Sequence, residues 1–345
     1  MSAESRSSVV ANVIYANGKR AAAPADLAAT FAELEAHPDS MAWIGLYRPD
    51  AAELTELAER FDLHELAVED AVLAHQRPKM ERYGESVFLV LRAARYLDAE
   101  ERVEFGELHI FVGKGYVVTV RHAEKPDLSI VRTRLEDDPE LLALGPEAVL
   151  YGILDALVDG YSPVVDGLEN DIDEIESQVF DGDPAVSRRI YELSREVIDF
   201  QLAAKPLSGI LRSITDAFDE SDIDPRLRAY LRDVDDHVVA VTERIAEFRE
   251  VLRDMLTVNA TLVAQRQNDE MQRVGVASNR QAEEARKISG WAAILFAPSL
   301  IGSVYGMNFA NMPELSWQFG YPFALGLMVA ASGTLFVVFR KRGWI

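Results

Sequence analysis

Tyr305-Gly306-Met307-Asn308 is an uncharged string at the point where a long apolar stretch ends. A helix that stops at a boundary between apolar and aqueous surroundings presents unpaired backbone carbonyls. The Asn308 amide adds one acceptor oxygen and two donors. Repeated around an axis, such oxygens form a ring suited to a cation or to the water shell of one. Glu314, in Met312-Pro313-Glu314-Leu315, is the one acid near that end. Elsewhere the chemistry is sparse. The chain has no cysteine, which excludes disulfides and thiolate metal sites. No pair among its six histidines has the helical spacing of a zinc site. No nucleophile–base arrangement is visible, and Gly113 and Gly115 lack the following helix that a phosphate-cradling loop requires. The residues therefore point away from an enzyme and away from an organic cofactor.

The elements around this string read as membrane spans. Ile288 to Met307 is twenty residues without a charge, and Tyr321 to Phe339 is nineteen. Each matches the ~20 residues that cross a hydrocarbon core of ~30 Å. The connection from Asn308 to Gly320 has no Lys or Arg, whereas Arg286, Lys287, Arg340, Lys341 and Arg342 flank the other ends. The positive-inside rule then places both termini in the cytoplasm and the short loop outside, in a multi-pass protein of the cell membrane. Steps of three and four along the first stretch give Ser289, Ala292, Phe296, Ser299, Ser303 and Gly306, a face of small and hydroxyl residues with one bulky exception. Close packing of helices in lipid uses such a face, and so does a narrow, weakly polar pore. In the second case Phe296, or Ile288 beside the stripe, is positioned as a hydrophobic constriction. Two helices enclose no aqueous path, so conduction requires a ring of copies.

Upstream, Pro225 and Pro298 bracket 72 residues without a proline. Leu231, Val234, Val238, Val241, Ile245, Phe248, Leu252 and Met255 alternate at intervals of three and four, Asn259 interrupts, and Leu262 resumes. That is a heptad seam. A helix from Arg226 to Lys287 at ~1.5 Å per residue extends roughly 90 Å, a stalk leading into the first span.

The N-terminal part alternates strand and turn signals. Val9 to Tyr15, Met41 to Tyr47, Val87 to Arg92, Leu108 to Val112 and Tyr116 to Val120 read as strands. Asn17-Gly18 and Gly113-Lys114-Gly115 read as turns, the latter within a hairpin. Helical patterns cover Ala51 to Phe61 and Glu65 to Ala74 and dominate from Pro146 onward. Strands first and helices later describe an α+β domain. The whole chain carries −22, and residues 286 to 345 balance to +4, which leaves −26 for residues 1 to 285. Such a surface repels nucleic acid and attracts cations. Met1 to Arg20 contains no apolar run of the kind found in a secretory leader.

Taken together, these motifs resemble the CorA family of divalent-cation transporters. The resemblance lies in Tyr305-Gly306-Met307-Asn308-Phe309, the Met312-Pro313-Glu314-Leu315 loop, Gly320-Tyr321-Pro322 and the basic tail ending in Trp344. It extends back to Val68-Glu69-Asp70, His75-Gln76-Arg77-Pro78-Lys79, Asp155-Ala156-Leu157-Val158-Asp159 and Arg232-Asp233-Val234. It implies a funnel-shaped homopentamer in the lipid bilayer, with an α+β cytoplasmic domain, a helical stalk and two C-terminal transmembrane helices. The expected divisions are 1–145 (α/β), 146–225 (helical part), 226–287 (stalk), 288–307 (first span, pore-lining), 308–320 (external loop), 321–339 (second span) and 340–345 (basic tail). It implies passive influx of Mg²⁺, possible passage of Co²⁺ and Ni²⁺, and a selectivity filter of Gly306, Met307 and Asn308. It also implies regulatory Mg²⁺ sensing by Glu69, Asp70 and Asp233. Ala282 departs from the Asn that relatives often carry there and supplies no amide oxygen. The residues leave open a Zn²⁺ or other divalent transporter of the same build, and a non-conducting, membrane-tethered coiled-coil scaffold.

Overall fold

The computed structural model describes residues 8–122, 124–181, 183, 185–220, 224–307, 312–313 and 316–345, the side chains of 218–220 excepted. These residues fall into two compact units, Met1–Asn259 and Ala260–Ile345.

The first unit is built on a seven-stranded sheet. Its strands are β1 (Val9–Ala16), β2 (Lys19–Ala22), β3 (Met41–Tyr47), β4 (Lys79–Tyr83), β5 (Ser86–Leu97), β6 (Arg102–Gly113) and β7 (Tyr116–Arg121), in the order β2-β1-β3-β7-β6-β5-β4. Only β3 and β7 run parallel; every other neighbouring pair is antiparallel. Asn17 (φ 50°) and Gly18 (φ 73°) make the β1–β2 turn in the left-handed region, as Asn-Gly favours. The β6–β7 hairpin closes through Lys114 and Gly115, with Gly115 at φ 76°.

Helices cover both faces, and that is why the central strands read as continuous apolar runs. On one face α1 (Leu27–Ala36), α2 (Ala51–Phe61) and α3 (Glu65–Leu73) enclose Ile44, Leu46, Phe88, Val90, Phe111, Val118 and Val120. Asp50 and Glu53 form a reciprocal capping box that fixes the start of α2. The other face carries Trp43, fully buried, with the Arg132 guanidinium 4.8 Å above its ring. Here the helices are α4 (Leu128–Glu136), α5 (Pro139–Leu142), α6 (Pro146–Asp159), α7 (Ser162–Asp181), α8 (Val186–Ala204) and α9 (Leu207–Glu220), of which α6, α7 and α8 lie directly on β5, β6 and β7.

The long proline-free stretch is one helix, α10 (Pro225–Tyr305), of 81 residues. Its seam is a packing surface within the chain. Leu231, Val234, Val238, Ile245, Phe248, Leu252 and Met255 are buried in the first unit, where Arg244 pairs with Glu169 of α7 and Arg249 Nη1 donates to Gln201 Oε1 of α8 at 2.6 Å. Asn259, 6% exposed, closes the seam by donating from Nδ2 to Ser187 Oγ at 2.7 Å. A buried amide with its partner made is tolerated at a seam position, and it fixes the register of the helices that meet there.

Between β5 and α7 the packing leaves no room at Gly167. A Cβ there would lie 2.4 Å from Tyr96 Cγ, and the Tyr96 hydroxyl donates to Asp171 Oδ2 at 2.9 Å. The added methyl of Gly167→Ala is therefore expected to cost about 1–3 kcal/mol through overpacking, although alanine is the better helix former. Urea or thermal unfolding of the detergent-solubilised full chain checks this; an unchanged or raised midpoint refutes the close contact.

Candidate functional site

In the second unit, α10 reaches Tyr305 and its end is closed by Gly306 N–H donating to Gly302 O at 2.9 Å and Met307 N–H to Val304 O at 3.3 Å. Asn308 and Glu314 lie outside the described residues. The second apolar stretch is α11 (Gly320–Lys341). Among the described residues, three helical stretches are long and apolar enough to cross a membrane. In Pro146–Asp181, 61% of the most apolar window is buried inside the protein, against 6% in each of the other two. The first is a core segment of the α/β unit; the apolar surface of the C-terminal pair remains uncovered.

Helix α11 covers one side of the apolar part of α10. Gly290 and Ile294 are buried there; a Cβ on Gly290 would sit 3.2 Å from Ile345 Cγ1, and Ser332 Oγ donates to Ile294 O at 3.3 Å. The Trp291 and Phe336 rings meet at 6.2 Å, and Phe339 stacks on Trp344 at 5.3 Å. Ile288, Ser289, Ala292, Phe296, Ser299, Ser303 and Gly306 are all exposed in the single chain. Met307 is exposed as well. One side of this helix is taken by α11; the small-and-hydroxyl stripe is exposed, together with the apolar residues Trp291, Leu295, Leu300 and Val304 that flank it.

The acids expected to sense a cation fall in separate places of the first unit. Glu69 and Asp70 lie on the last turns of α3, Glu69 exposed and Asp70 half-buried. Asp70 is already paired: Lys79 Nζ of β4 lies 2.7 Å from Asp70 Oδ2 and 3.0 Å from Glu81 Oε1. Burial alone would depress the Lys79 ammonium, but the bonds to Asp70 and Glu81 prevail and raise its pKa above the ordinary value. Asp233 is exposed on α10. Among the described residues no group of three His, Cys, Asp or Glu side chains is arranged to hold a metal ion, so one chain does not join Asp233 to Glu69 and Asp70.

Asp233 instead lies in the field of α6. Asp159 is pushed above the usual carboxylate range, first by burial and then by the neighbouring Asp155 charge, with Asp233 adding to it. Arg134 opposes this by pairing with Asp155. Tyr151 is pushed up to about 12 by burial and by Asp155, with Asp233 contributing, and its ring stacks on Tyr230 of α10 at 5.1 Å. Asp155 and Asp159 were present in the motif string at 155–159, but nothing in that string says that they face α10.

The chain matches the model of the CorA-like Mg²⁺ transporter protein family over residues 38–341. It belongs to that family. The chain is 31% identical to the Bacillus subtilis protein YfjQ over 304 residues, covering 88% of this chain and 89% of the relative. It is 28% identical to the cobalt/magnesium transport protein CorA of Thermotoga maritima, covering 88% and 83%. The structure of the CorA magnesium transporter from Methanocaldococcus jannaschii shares the fold, with a TM-score of 0.52 at 21% identity over 88% of this chain and 92% of that one. As a member of this family the chain is a membrane transporter of divalent metal cations, and not an enzyme.

The raised Asp159 pKa has a defined consequence for stability. A carboxyl whose folded pKa exceeds its unfolded value of 3.8 weakens the fold once it ionises. Asp159→Asn is expected to raise Tm by about 1–2 °C at pH 8 in metal-free buffer. The gain should shrink as the pH falls through the raised folded value and vanish only below 3.8, where the carboxyl is protonated in both states. Thermal scans across that range check it; a lowered Tm at pH 8 refutes the like-charge crowding.

Proposed function

We propose that this CorA-like chain assembles as a homopentamer whose first apolar helix lines a pore for hydrated Mg²⁺, with Co²⁺ and Ni²⁺ as further cargo. The observation that carries this reading is the division of α10: α11 takes the Gly290–Ile294 side, while Ser289, Ala292, Ser299 and Ser303 stay uncovered. Gly306, Met307 and Asn308 form the filter at the external mouth, and Glu314 in the loop concentrates cations there. Both termini face the cytoplasm, in keeping with the basic residues at those ends of the spans.

Mg²⁺ is small, demands octahedral oxygen coordination and gives up its waters reluctantly. The filter string supplies backbone and amide oxygens and no carboxylate. Such groups hydrogen-bond the waters of a hydrated ion better than they replace them. A negative interior drives a divalent cation inward by roughly 4.6 kcal/mol per 100 mV, twice the single-charge value. Ile288 and Phe296 are the apolar side chains on or beside the stripe, and their narrowing closes the pore by dewetting.

Regulation rests on Glu69 and Asp70 of one subunit and Asp233 of a neighbour. Mg²⁺ between them bridges subunits and holds the pore shut; loss of the ion leaves like charges that repel, which is negative feedback by linkage. Lys79 takes part in this balance. Its ammonium occupies the space against Asp70 and Glu81 that a metal ion would share, so Mg²⁺ has to displace it.

Ion-resolved flux into proteoliposomes tests both parts. Asn308→Ala is expected to reduce Mg²⁺ entry about tenfold or more, the loss of a hydrogen bond to a charged hydrate; unchanged entry refutes the filter. Asp70→Lys combined with Asp233→Lys is expected to weaken inhibition by internal Mg²⁺. Lys79→Met is expected to move inhibition on the order of tenfold toward lower Mg²⁺, equivalent to ~1.4 kcal/mol. An unaltered inhibition curve in the double variant removes the sensor, and an unaltered curve in Lys79→Met alone removes only the competition.

A further inference from the structure

We propose that Glu107, His109 and His122 form a proton-sensitive latch that holds the end of α3 and the turn into β4 against the sheet, closed while Glu107 is ionised and His122 neutral, and released by acid. The latch does not depend on the metal reading; only its effect on gating does, because α3 carries Asp70.

The three side chains converge from two strands. His109 on β6 is 0% exposed, and its Nε2 lies 3.2 Å from Glu107 Oε2. A carboxylate accepts, so Nε2 carries the hydrogen and Nδ1 is left bare; that Nδ1 is buried with no hydrogen-bond partner among the described residues. His122, directly after β7, faces His109 with ring centroids 5.2 Å apart. Its Nε2 lies 2.8 Å from the Ala71 carbonyl of α3. A carbonyl also only accepts, so His122 donates from Nε2, and an added proton must go to Nδ1. Glu107 Oε2 receives the Gln76 N–H at 3.2 Å as well. The end of α3 and the turn that follows it are therefore each fastened to the same trio, in which His109 is buried and Glu107 and His122 are half-buried.

That turn needs fastening. Ala74 (φ 54°) and His75 (φ 66°) are consecutive non-glycine residues in the left-handed region. Each such residue costs roughly 1–2 kcal/mol, and the conformation persists only where surrounding contacts impose it.

The charges around the trio make it intolerant of protons. Among the described residues Glu107 is the carboxylate bonded to His109, and it acts on His122 through its charge alone. Arg48, which follows β3, donates from Nε to the His122 carbonyl at 3.3 Å. Lys79 of β4 lies 6.0 Å above the Phe88 ring, whose plane meets His109 edge-on, and its own charge is paired with Asp70 and Glu81. Protonating both imidazoles would set two cations beside one carboxylate, with Arg48 adjacent. Burial is the main influence that depresses His122 below 6.5; His109 and Arg48 add to it, while the Ala71 carbonyl and Glu107 oppose it. Burial pushes Glu107 up, but hydrogen bonds from His109 and the Gln76 amide, helped by His75, hold it below 4.5.

Both shifts act in one direction. A histidine with a depressed folded pKa gives stability that is complete above 6.5 and is lost as the pH falls below it, because the open form then binds the proton more readily. A carboxylate with a depressed folded pKa adds a further loss below 4.5. Acid therefore favours opening, and the first phase belongs to His122.

Amide hydrogen exchange on the full chain in detergent, corrected for the intrinsic rate, tests the latch between about pH 7.5 and pH 5.5, on either side of the ordinary histidine value. Protection of peptides covering residues 65–79 is expected to fall on acidification by up to about tenfold per pH unit, the limit for one proton. Peptides from β1 and β3 should hold their protection. His122→Gln keeps an N–H donor for the Ala71 carbonyl and cannot titrate, so its profile should be flat. A flat wild-type profile, a loss spread equally over the sheet, or the same pH dependence in His122→Gln overturns the proposal. The first two outcomes decide it even if the variant fails to fold.

Discussion

The apolar seam of α10 is the constraint on which the first unit depends. A helix whose apolar residues recur every three and four positions has one face to hide, and here that face is consumed inside the chain from Leu231 to Met255. Residues that could otherwise have zipped copies together are spent inside the first unit. The seam ends at Asn259, where the amide finds Ser187, and from Ala260 onward the same helix belongs to a unit with almost no buried surface of its own. One continuous backbone thus serves two different solvation problems, and the change comes at a single hydrogen-bonded side chain.

Much of this was legible in the sequence where the signal is local and periodic. The charge-free lengths at 288–307 and 321–339 and the seam rest on composition and repeat alone. The inner strands β1, β3, β5, β6 and β7 announce themselves by apolar β-branched runs, and Asn17-Gly18 by its turn chemistry. The two edge strands did not. Lys-Arg-Ala-Ala in β2 and Lys-Met-Glu-Arg-Tyr in β4 are polar because an edge faces water and needs charge to stay unpaired. Helices α1 and α4, short and capped by Asp26 and Asp127, were likewise hidden from a reading based on long periodic segments. The α+β description survives, although helices interleave with the strands and one central pair, β3–β7, is parallel.

The candidate sites divide along the same line. Residue types at 69, 70 and 233 could be picked out from motif strings, but their partners could not. That Lys79 neutralises Asp70, and that Asp159 crowds Asp155 and Asp233, depends on how α3 meets β4 and how α6 meets α10. The trio at 107, 109 and 122 left still less trace, since its histidines are thirteen residues apart, one on β6 and one just past β7, and meet through the β6–β7 pairing.

The contact between Gly167 and Tyr96 also bears on how this sequence can drift. The two positions are 71 residues apart, yet the glycine is vacant only because the ring fills its place. Neither can accept a larger occupant alone. A lineage that acquires a side chain at 167 must first, or at once, reduce the residue at 96, and in doing so it gives up the hydroxyl that meets Asp171. Three positions are thereby inherited as one unit, and descendants should show them changing in step or not at all.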